Sequence, residues 1–226
     1  MVRETFDREL QRLQDEVLVL GSMVEEAIIE SVEVLKRRDV EGSRRLIAQD
    51  RVINEKRFAI EADCLVLIAT QQPLAGDLRT VAAVLEIVTE LERIGDYAKG
   101  IARVNLMMGE KPLLKPLIDI PRMAEKARDM LHRALDAFVR RDVALARAIP
   151  AEDDEVDALY NQVYRELLTF IMANPRTIDQ ATYLLWVAHN LERAADRVTN
   201  ICERVVFTAT GEMMEMDSEE GLIGLA

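Results

Sequence analysis

Histidine, cysteine and aromatic residues are scarce in this 226-residue chain, which has two His, two Cys and 4% aromatic residues. The shortage of histidine disfavours a di-iron carboxylate oxidase, because that helical bundle needs a Glu-x-x-His motif on each of two helices. Cys64 and Cys202 lie inside apolar helical patterns. We therefore interpret them as small buried side chains in a reducing compartment, and not as a disulfide.

Glycine and proline are also few, with 9 Gly and 6 Pro, and long apolar runs are missing. The composition, dominated by Leu, Val, Ala, Ile, Glu and Arg, favours long packed helices over a sandwich or a barrel. No run approaches the ~18 apolar residues of a membrane span, and the start MVRETFDREL lacks the apolar core of a signal peptide. We expect a cytoplasmic protein without direct membrane insertion.

Basic residues are outnumbered, with 29 Lys and Arg against 41 Asp and Glu, which gives a net charge of −12. A nucleic-acid partner is disfavoured, because neutralising phosphates needs clustered basic side chains. Attraction to an anionic membrane surface is disfavoured for the same reason. The charge instead favours cations and basic protein surfaces.

Helical periodicity is nearly continuous and breaks where Pro and Gly cluster. The pattern predicts six helices, over residues 6–38, 40–70, 77–108, 122–141, 143–173 and 178–210. Asp77 is the expected N-terminal cap of the third helix. Gly211 is the expected C-terminal end of the sixth.

The chain also repeats itself. LKRRDVEGSRRLIAQD at 35–50 matches FVRRDVALARAIPAED at 138–153 in seven of sixteen positions, and LERIGDYAKGIA at 91–102 matches LERAADRVTNIC at 191–202. Such a duplication predicts an all-α fold of two tandem, pseudo-symmetric three-helix bundles. We place the first bundle at 1–110, the second at 111–211, and an acidic tail, expected to be frayed or disordered, at 212–226.

One core row is expected on each of the third and sixth helices, from the alternating spacing of four and three residues. Its predicted members are Val84, Val88, Leu91, Gly95, Ala98 and Ala102, and then Leu184, Ala188, Leu191, Ala195, Val198 and Cys202.

Two carboxylates lie four residues apart beside this row, and like charges at that spacing cost a few tenths of a kcal/mol in an exposed helix. In the first half they are Glu92 and Asp96, and Arg93 is placed to reach Asp96. The second half repeats the arrangement with Glu192, Asp196 and Arg193. A solvated acidic face with local ion pairs would explain one such copy.

The repetition raises a second interpretation. The preceding helix of each half carries oxygen-bearing side chains at the same spacing, and an antiparallel hairpin would bring them to the carboxylate pairs. A bound cation makes such convergence tolerable, and all-oxygen sites suit Mg, Ca, Mn and Fe. The metal stays open among Fe, Mn, Mg, Ca and Zn. The predicted ligands are Glu92, Asp96, Glu192, Asp196, Asp50, Asn54, Asp153 and Asp157.

The two histidines add little. His189 shares a helix row with Glu192 and Asp196, so it is either an accessory ligand or a partly buried helix residue, and His132 is interpreted as structural. No Gly-rich phosphate loop, no Gly-x-Ser-x-Gly and no Cys/His nucleophile pair is present. The sequence is therefore not expected to encode an enzyme.

Several motifs together carry a family resemblance. QQPLAGDLR at 71–79, LERIGD at 91–96, RTID at 176–179 and LERAAD at 191–196, on two three-helix repeats, resemble the PhoU family of phosphate transport system regulatory proteins. The resemblance implies a PhoU-like fold and a protein that represses the phosphate-starvation response. It further implies an adaptor, often a homodimer. The adaptor would link the phosphate ABC transporter, through its ATPase subunit, to a phosphate-sensing histidine kinase.

Some members of that family bind multinuclear metal clusters on Glu/Asp-x-x-x-Asp motifs, which the resemblance carries over to the positions named above. Two departures stand out. Ala195 replaces the glycine found at position 95, and Asn54 stands where the second half has Asp157, so the first site has one charge fewer and is expected to bind metal more weakly. Two alternatives stay open: a carboxylate-bridged metalloenzyme, and a structural helical scaffold with solvated acidic faces.

Overall fold

A computed structural model describes residues 2–109 and 111–216 of the chain. Within these residues the protein is built from α-helices and short 3₁₀ turns, and no strand is present there. The predicted all-α class is confirmed. The α-helices are α1 (Val2–Arg37), α2 (Val40–Gln71), α3 (Ala75–Met107), α4 (Asp119–Arg140), α5 (Val143–Ala148), α6 (Asp153–Ala173) and α7 (Ile178–Thr210).

The helices form two bundles that meet through their last members. α1, α2 and α3 pack on one another, as do α4, α6 and α7, and the α3–α7 interface joins the halves together with α1–α4. Glu90 faces Arg197, whereas Tyr97, further along α3, faces Arg193. α3 and α7 therefore run antiparallel, and two tandem, pseudo-symmetric bundles are confirmed.

The duplication is visible in the backbone of the Arg-Arg-Asp turns. Arg38 and Arg141 both adopt a left-handed conformation, with φ of 56° and 54°. The next residue caps the following helix in each half: Asp39 accepts from the amide of Gly42 at 2.8 Å, and Asp142 accepts from the amide of Leu145 at 3.0 Å. Each turn thus ends one helix and starts the next in the same way.

The predicted helix over 143–173 is wrong in one respect, because it is broken at Pro150. α5 ends at Ala148, a 3₁₀ turn spans Pro150–Glu152, and α6 starts at Asp153. Proline has no amide hydrogen, and its ring clashes with the carbonyl group four residues earlier, so an unbroken helix is disfavoured there. The break places Asp153 in the first turn of α6, whereas its repeat counterpart Asp50 lies well inside α2.

Helix ends also correct the predictions. α3 begins at Ala75, and Leu74 is its N-cap without a side-chain hydrogen bond, so Asp77 lies in the first turn and is not the cap. α4 begins at Asp119, three residues before the predicted start at residue 122. Pro121 has no amide hydrogen, but it is tolerated there because the amides of a helix's first turn have no acceptor within the helix. The end of α7 at Gly211, with φ of 81°, is confirmed.

The core follows the predicted row. All twelve of its residues on α3 and α7 are buried, and Cys64 and Cys202 are buried and unpaired, as expected. None of the described helices combines the length and the low charge that crossing a bilayer requires.

Among the described residues, those between α3 and α4 and those after α7 are not helical. The predicted division at residue 110 falls between α3 and α4. Of the predicted tail, residues 212–216 follow α7 without helical structure, and the amide of Met216 donates to Glu203 at 2.8 Å. The rest of that tail lies outside the described residues.

Candidate metal centre

In the first half, α2 and α3 bring three of the four predicted positions into one contact group. Asn54 donates from Nδ2 to Oδ2 of Asp50 at 3.2 Å. The same Oδ2 lies 2.6 Å from Nζ of Lys99, which also lies 3.0 Å from Oδ1 of Asp96. The side chain of Asp50 is only 9% exposed. The antiparallel packing of α2 and α3 thus joins Asp50, Asn54 and Asp96 as predicted, but through an ammonium group.

Lys99 is the residue that the sequence analysis missed. Burial lowers the pKa of its ammonium group, but the hydrogen bonds and charges of Asp50 and Asp96 outweigh that effect and raise the pKa overall. Its position three residues after Asp96 placed it on the same helix face, which was the available signal. The expected pair between Arg93 and Asp96 is wrong, since Arg93 lies 4.0 Å from Glu92 instead.

Glu92 lies beside this group and is largely buried. Its side chain is 12% exposed, and its partners are distant: Nη1 of Arg57 lies 3.9 Å from Oε2. Burial raises the pKa of Glu92, the charge of Asp96 adds to the rise, and Arg57 and Arg93 oppose it. The first half therefore holds Glu92, Asp50 and Asp96 close together, with Lys99 between the last two.

In the second half, α6 and α7 bring the four predicted carboxylates together. Burial raises the pKa of Asp153 to about 8, and the charges of Asp196 and Asp157 contribute to that rise. The interaction between Asp153 and Asp196 contributes to the raised pKa of Asp153. Burial raises the pKa of Asp196 overall, against the opposing charges of Arg197 and Arg193.

The remaining two carboxylates belong to the same group. Burial raises the pKa of Glu192 to about 7, and the charges of Asp196 and Asp157 contribute to that rise. Burial and the charge of Asp196 also raise the pKa of Asp157. Within the part of the chain that the structure describes, no Lys or Arg forms a salt bridge with any of the four. The second half is thus a cluster of mutually repelling carboxylates without an ammonium group between them.

Two oxygen atoms of this cluster are unsatisfied. Among residues 2–109 and 111–216, Oδ1 of Asp153 and Oε2 of Glu192 are buried without a hydrogen-bond partner, and so is Oδ1 of Asp50 in the first half, whose other oxygen contacts Lys99. Nδ1 of His189 lies 3.0 Å from that Oε2, but not in hydrogen-bonding geometry. A buried carboxylate oxygen without a partner is costly, and a cation is one group that would satisfy it.

Neither histidine lies at the centre of a carboxylate cluster. The side chain of His189 is 51% exposed at the edge of the second-half cluster, which leaves the accessory-ligand interpretation open. The side chain of His132 is 71% exposed, and its Nδ1 lies 3.3 Å from Oε1 of Glu25 on α1. The structural interpretation of His132 therefore stays a prediction.

The chemistry of the second-half cluster fits a hard cation. Its four donors are carboxylates, which are the ligands of Mg, Ca, Mn and Fe. As placed, no three His, Cys, Asp or Glu side chains of the described residues already form a metal-binding group, so a cation would have to draw the carboxylates inward. The first-half positions fit a cation less well, because the ammonium of Lys99 already contacts Asp50 and Asp96.

The Gly95-to-Ala195 difference is explained by the neighbouring helix. A Cβ on Gly95 would lie 3.3 Å from Cδ1 of Ile53, closer than a relaxed contact allows. The repeat counterpart of Ile53 is Val156, which lacks that methyl group and is also buried. The smaller valine leaves room for Ala195, so the departure preserves the helix packing beside the second-half cluster.

Comparison with known proteins identifies the fold and its duplication. The family model described as PhoU domain matches residues 17–104 and again 120–205. The chain is 36% identical over 221 residues to the "Phosphate-specific transport system accessory protein PhoU homolog" of Clostridium acetobutylicum, covering 96% of this chain and 100% of that protein.

Solved structures agree. The phosphate transport system regulatory protein PhoU from Streptococcus pneumoniae superimposes with a TM-score of 0.86 at 33% identity, covering 93% of this chain and 99% of that one. PhoU from Pseudomonas aeruginosa also gives 0.86, at 31% identity, with 92% and 100% covered. Two matches of the family model and a relative of this identity over nearly the whole chain lead to one conclusion. The chain belongs to the PhoU family.

Proposed function

We propose that this protein is a cytoplasmic accessory and negative regulator of phosphate transport, which binds a cation on the second-half carboxylates and relays a signal between protein partners. The carrying observation is the group of four carboxylates with raised pKa values and two unsatisfied buried oxygens. The ligands would be Asp153, Asp157, Glu192 and Asp196. Bound there, the cation supplies the positive charge that four converging carboxylates lack.

The cation would act by tying two helices together. Asp153 and Asp157 are on α6, and Glu192 and Asp196 are on α7. Because the cation binds only when both helices are in place, it stabilises that arrangement by mass action. Repulsion among the carboxylates loosens the same contact when no cation is bound. The site is thus suited to set the position of α6 on α7.

α6 also carries a surface that a partner could recognise. Its outer side exposes Tyr164, Leu168 and Met172, the last with 82% of its surface accessible. On α2, Leu65 is 62% exposed and is the repeat counterpart of Leu168. Exposed apolar side chains of this size favour contact with another protein.

The partners in this proposal are the ATPase subunit of the phosphate ABC transporter and a phosphate-sensing histidine kinase, with a second copy of the chain forming a homodimer. The names of the relatives, which are accessory and regulatory proteins of phosphate transport, support this choice. An adaptor shifts a partner's state only if it binds the two states unequally. If the position of α6 depends on the cation, the protein can bind the two states of a partner with different affinities.

Two other functions make different predictions. A carboxylate-bridged metalloenzyme would need an open coordination position and a general base, and would turn over a substrate. A structural scaffold would bind its partners equally well after the carboxylates are removed. The proposed adaptor requires metal-dependent partner binding without turnover.

The metal-dependent step is tested by binding the purified protein to the ATPase subunit and to the cytoplasmic part of the kinase, in manganese and in chelator. We expect at least one partner to bind about tenfold more tightly with metal, a coupling of about 1.4 kcal/mol. The double variant Asp153→Asn/Glu192→Gln should bind equally in both conditions.

The matched control is Asp50→Asn/Lys99→Met, which removes a charge pair from the first half and should keep the metal dependence. Thermal unfolding confirms that each variant is folded. Equal binding of the wild-type protein in manganese and in chelator would contradict the proposal and favour the scaffold.

A further inference from the structure

The two halves carry different residues at the position that Lys99 occupies in the first cluster. Position 99 of α3 corresponds to position 199 of α7, where the first half has Lys99 and the second has Thr199. The positions around them are otherwise acidic, except that Asn54 corresponds to Asp157. The first cluster thus has three carboxylates and one ammonium group, whereas the second has four carboxylates and an uncharged residue at the position equivalent to Lys99.

The ammonium group of Lys99 lies where a shared cation would lie. Nζ is 2.6 Å from Asp50 on α2 and 3.0 Å from Asp96 on α3, so one positive charge links the two helices. Its side chain is only 19% exposed. Thr199, at the equivalent position of α7, is 5% exposed and carries no charge.

We propose that Lys99 is the resident cation of the first cluster, so that this chain takes a metal ion only in its second half. This inference rests on the proposed metal binding of the second-half cluster. A divalent ion entering the first cluster would meet the ammonium at close range and would have to displace it from both carboxylates. The side chain is tethered to α3, so it competes at a high effective concentration.

The consequence is a protein whose halves respond differently. The contact between α2 and α3 is closed by the protein's own charge and does not depend on metal supply. The contact between α6 and α7 depends on a cation from solution. The packing of α2 on α3 is therefore independent of metal, whereas the packing of α6 on α7 changes with metal binding.

The inference is tested with four full-length proteins: wild type, Lys99→Met, Thr199→Lys and the double variant. Manganese is titrated into chelator-treated protein, and bound metal is counted by the loss of the free-ion electron paramagnetic resonance signal. We expect wild type to bind in one class of site and Lys99→Met to gain a second. Thr199→Lys should lose affinity by ~100-fold, the upper end of losses seen when a supporting side chain of a metal site is changed.

The double variant should bind again, now in the first half, and the additional change Asp50→Asn should remove that binding. Because Thr199 is buried, its lysine variant could fail to fold, and the Lys99→Met result then decides alone. A Lys99→Met protein that is folded and binds no more manganese than wild type would overturn the inference.

Failure of the two proposals can be told apart. If wild type binds no manganese but Lys99→Met binds it, the second-half site is wrong and the role of Lys99 stands. If wild type already binds in both halves, and Asp50→Asn removes one of the two sites, the role of Lys99 as resident cation is wrong while the second-half site stands.

Discussion

Replacing Asp153 by Asn is expected to make the metal-free protein more stable and to abolish its stabilisation by a divalent cation. The side-chain amide of the variant would keep a hydrogen-bond donor toward Asp196, and the substitution would remove one of four repelling carboxylates. The gain should be on the order of 1 kcal/mol, or about 2–4 °C in Tm for a chain of this size. Wild type should instead gain about 2.7 kcal/mol from manganese at about 100 times its Kd.

The stability that Asp153→Asn gains over the metal-free wild type should increase with pH. The pKa of Asp153 is raised to about 8 in the folded protein, against ~3.9 in an unfolded chain. Between those values the folded state binds more protons, so the stability of the metal-free wild type falls as pH rises from about 4 to about 8. The Tm difference between Asp153→Asn and wild type, measured in chelator, should therefore be larger at pH 8 than at pH 5.

The matched control for Asp153→Asn is Asp50→Asn at the repeat-equivalent position. Asp50 is paired with Lys99, so its removal should destabilise the protein by about 1–3 kcal/mol, as the loss of one partner of a buried pair does. Opposite signs at equivalent positions are the expected result. A fall in Tm for both variants in chelator at pH 8 would contradict the account of the second-half cluster.

Replacing Asn105 by Val is expected to destabilise the protein by about 1–3 kcal/mol, because it leaves buried polar groups without partners. Asn105 is fully buried on α3. Its Nδ2 donates to Oγ of Ser43 at 2.8 Å and to the carbonyl oxygens of Val34 and Asp39 at 3.2 Å each. Arg38 donates to its Oδ1. One amide thus fastens the turn between α1 and α2 to α3.

The second half supplies the control for this variant. The counterparts of Asn105 and Ser43 are Val205 and Ala146, which are both buried. The polar pair has therefore been replaced there by an apolar pair. The double variant Asn105→Val/Ser43→Ala should recover part of the loss, measured by urea unfolding. If Ser43→Ala costs the same in both backgrounds, the hydroxyl and the amide are not coupled.

Much of the fold follows from self-comparison of the sequence. The repeated Arg-Arg-Asp turns and the two Glu-x-x-x-Asp helices gave the number of bundles and the pairing of helices. The errors fall where a single residue competes with a continuous periodic pattern. Pro150 breaks a helix that the apolar spacing predicts to be continuous. Asp77, which has a side chain typical of an N-cap, lies inside the first turn because α3 starts at Ala75.

The sequence predicted which side chains meet at the candidate site, but not how they are paired or hydrogen-bonded there. The spacing identified the carboxylates that meet across each helix pair. The difference between Asn54 and Asp157 already predicted a weaker first site, but the difference between Lys99 and Thr199 was missed because Lys99 was not considered beside the carboxylates. Unsatisfied oxygens such as Oδ1 of Asp153 depend on side-chain conformation, which helical periodicity does not fix.

The central claim, that the second-half carboxylates hold a cation, is tested most directly by isothermal titration of the chelator-treated protein. Fe, Mn, Mg, Ca and Zn would each be titrated into wild type and into Asp153→Asn/Glu192→Gln. The account predicts binding of at least one hard cation by wild type, and a loss of at least ~100-fold in the variant. Equal binding by the two folded proteins, or no binding by wild type, would contradict it.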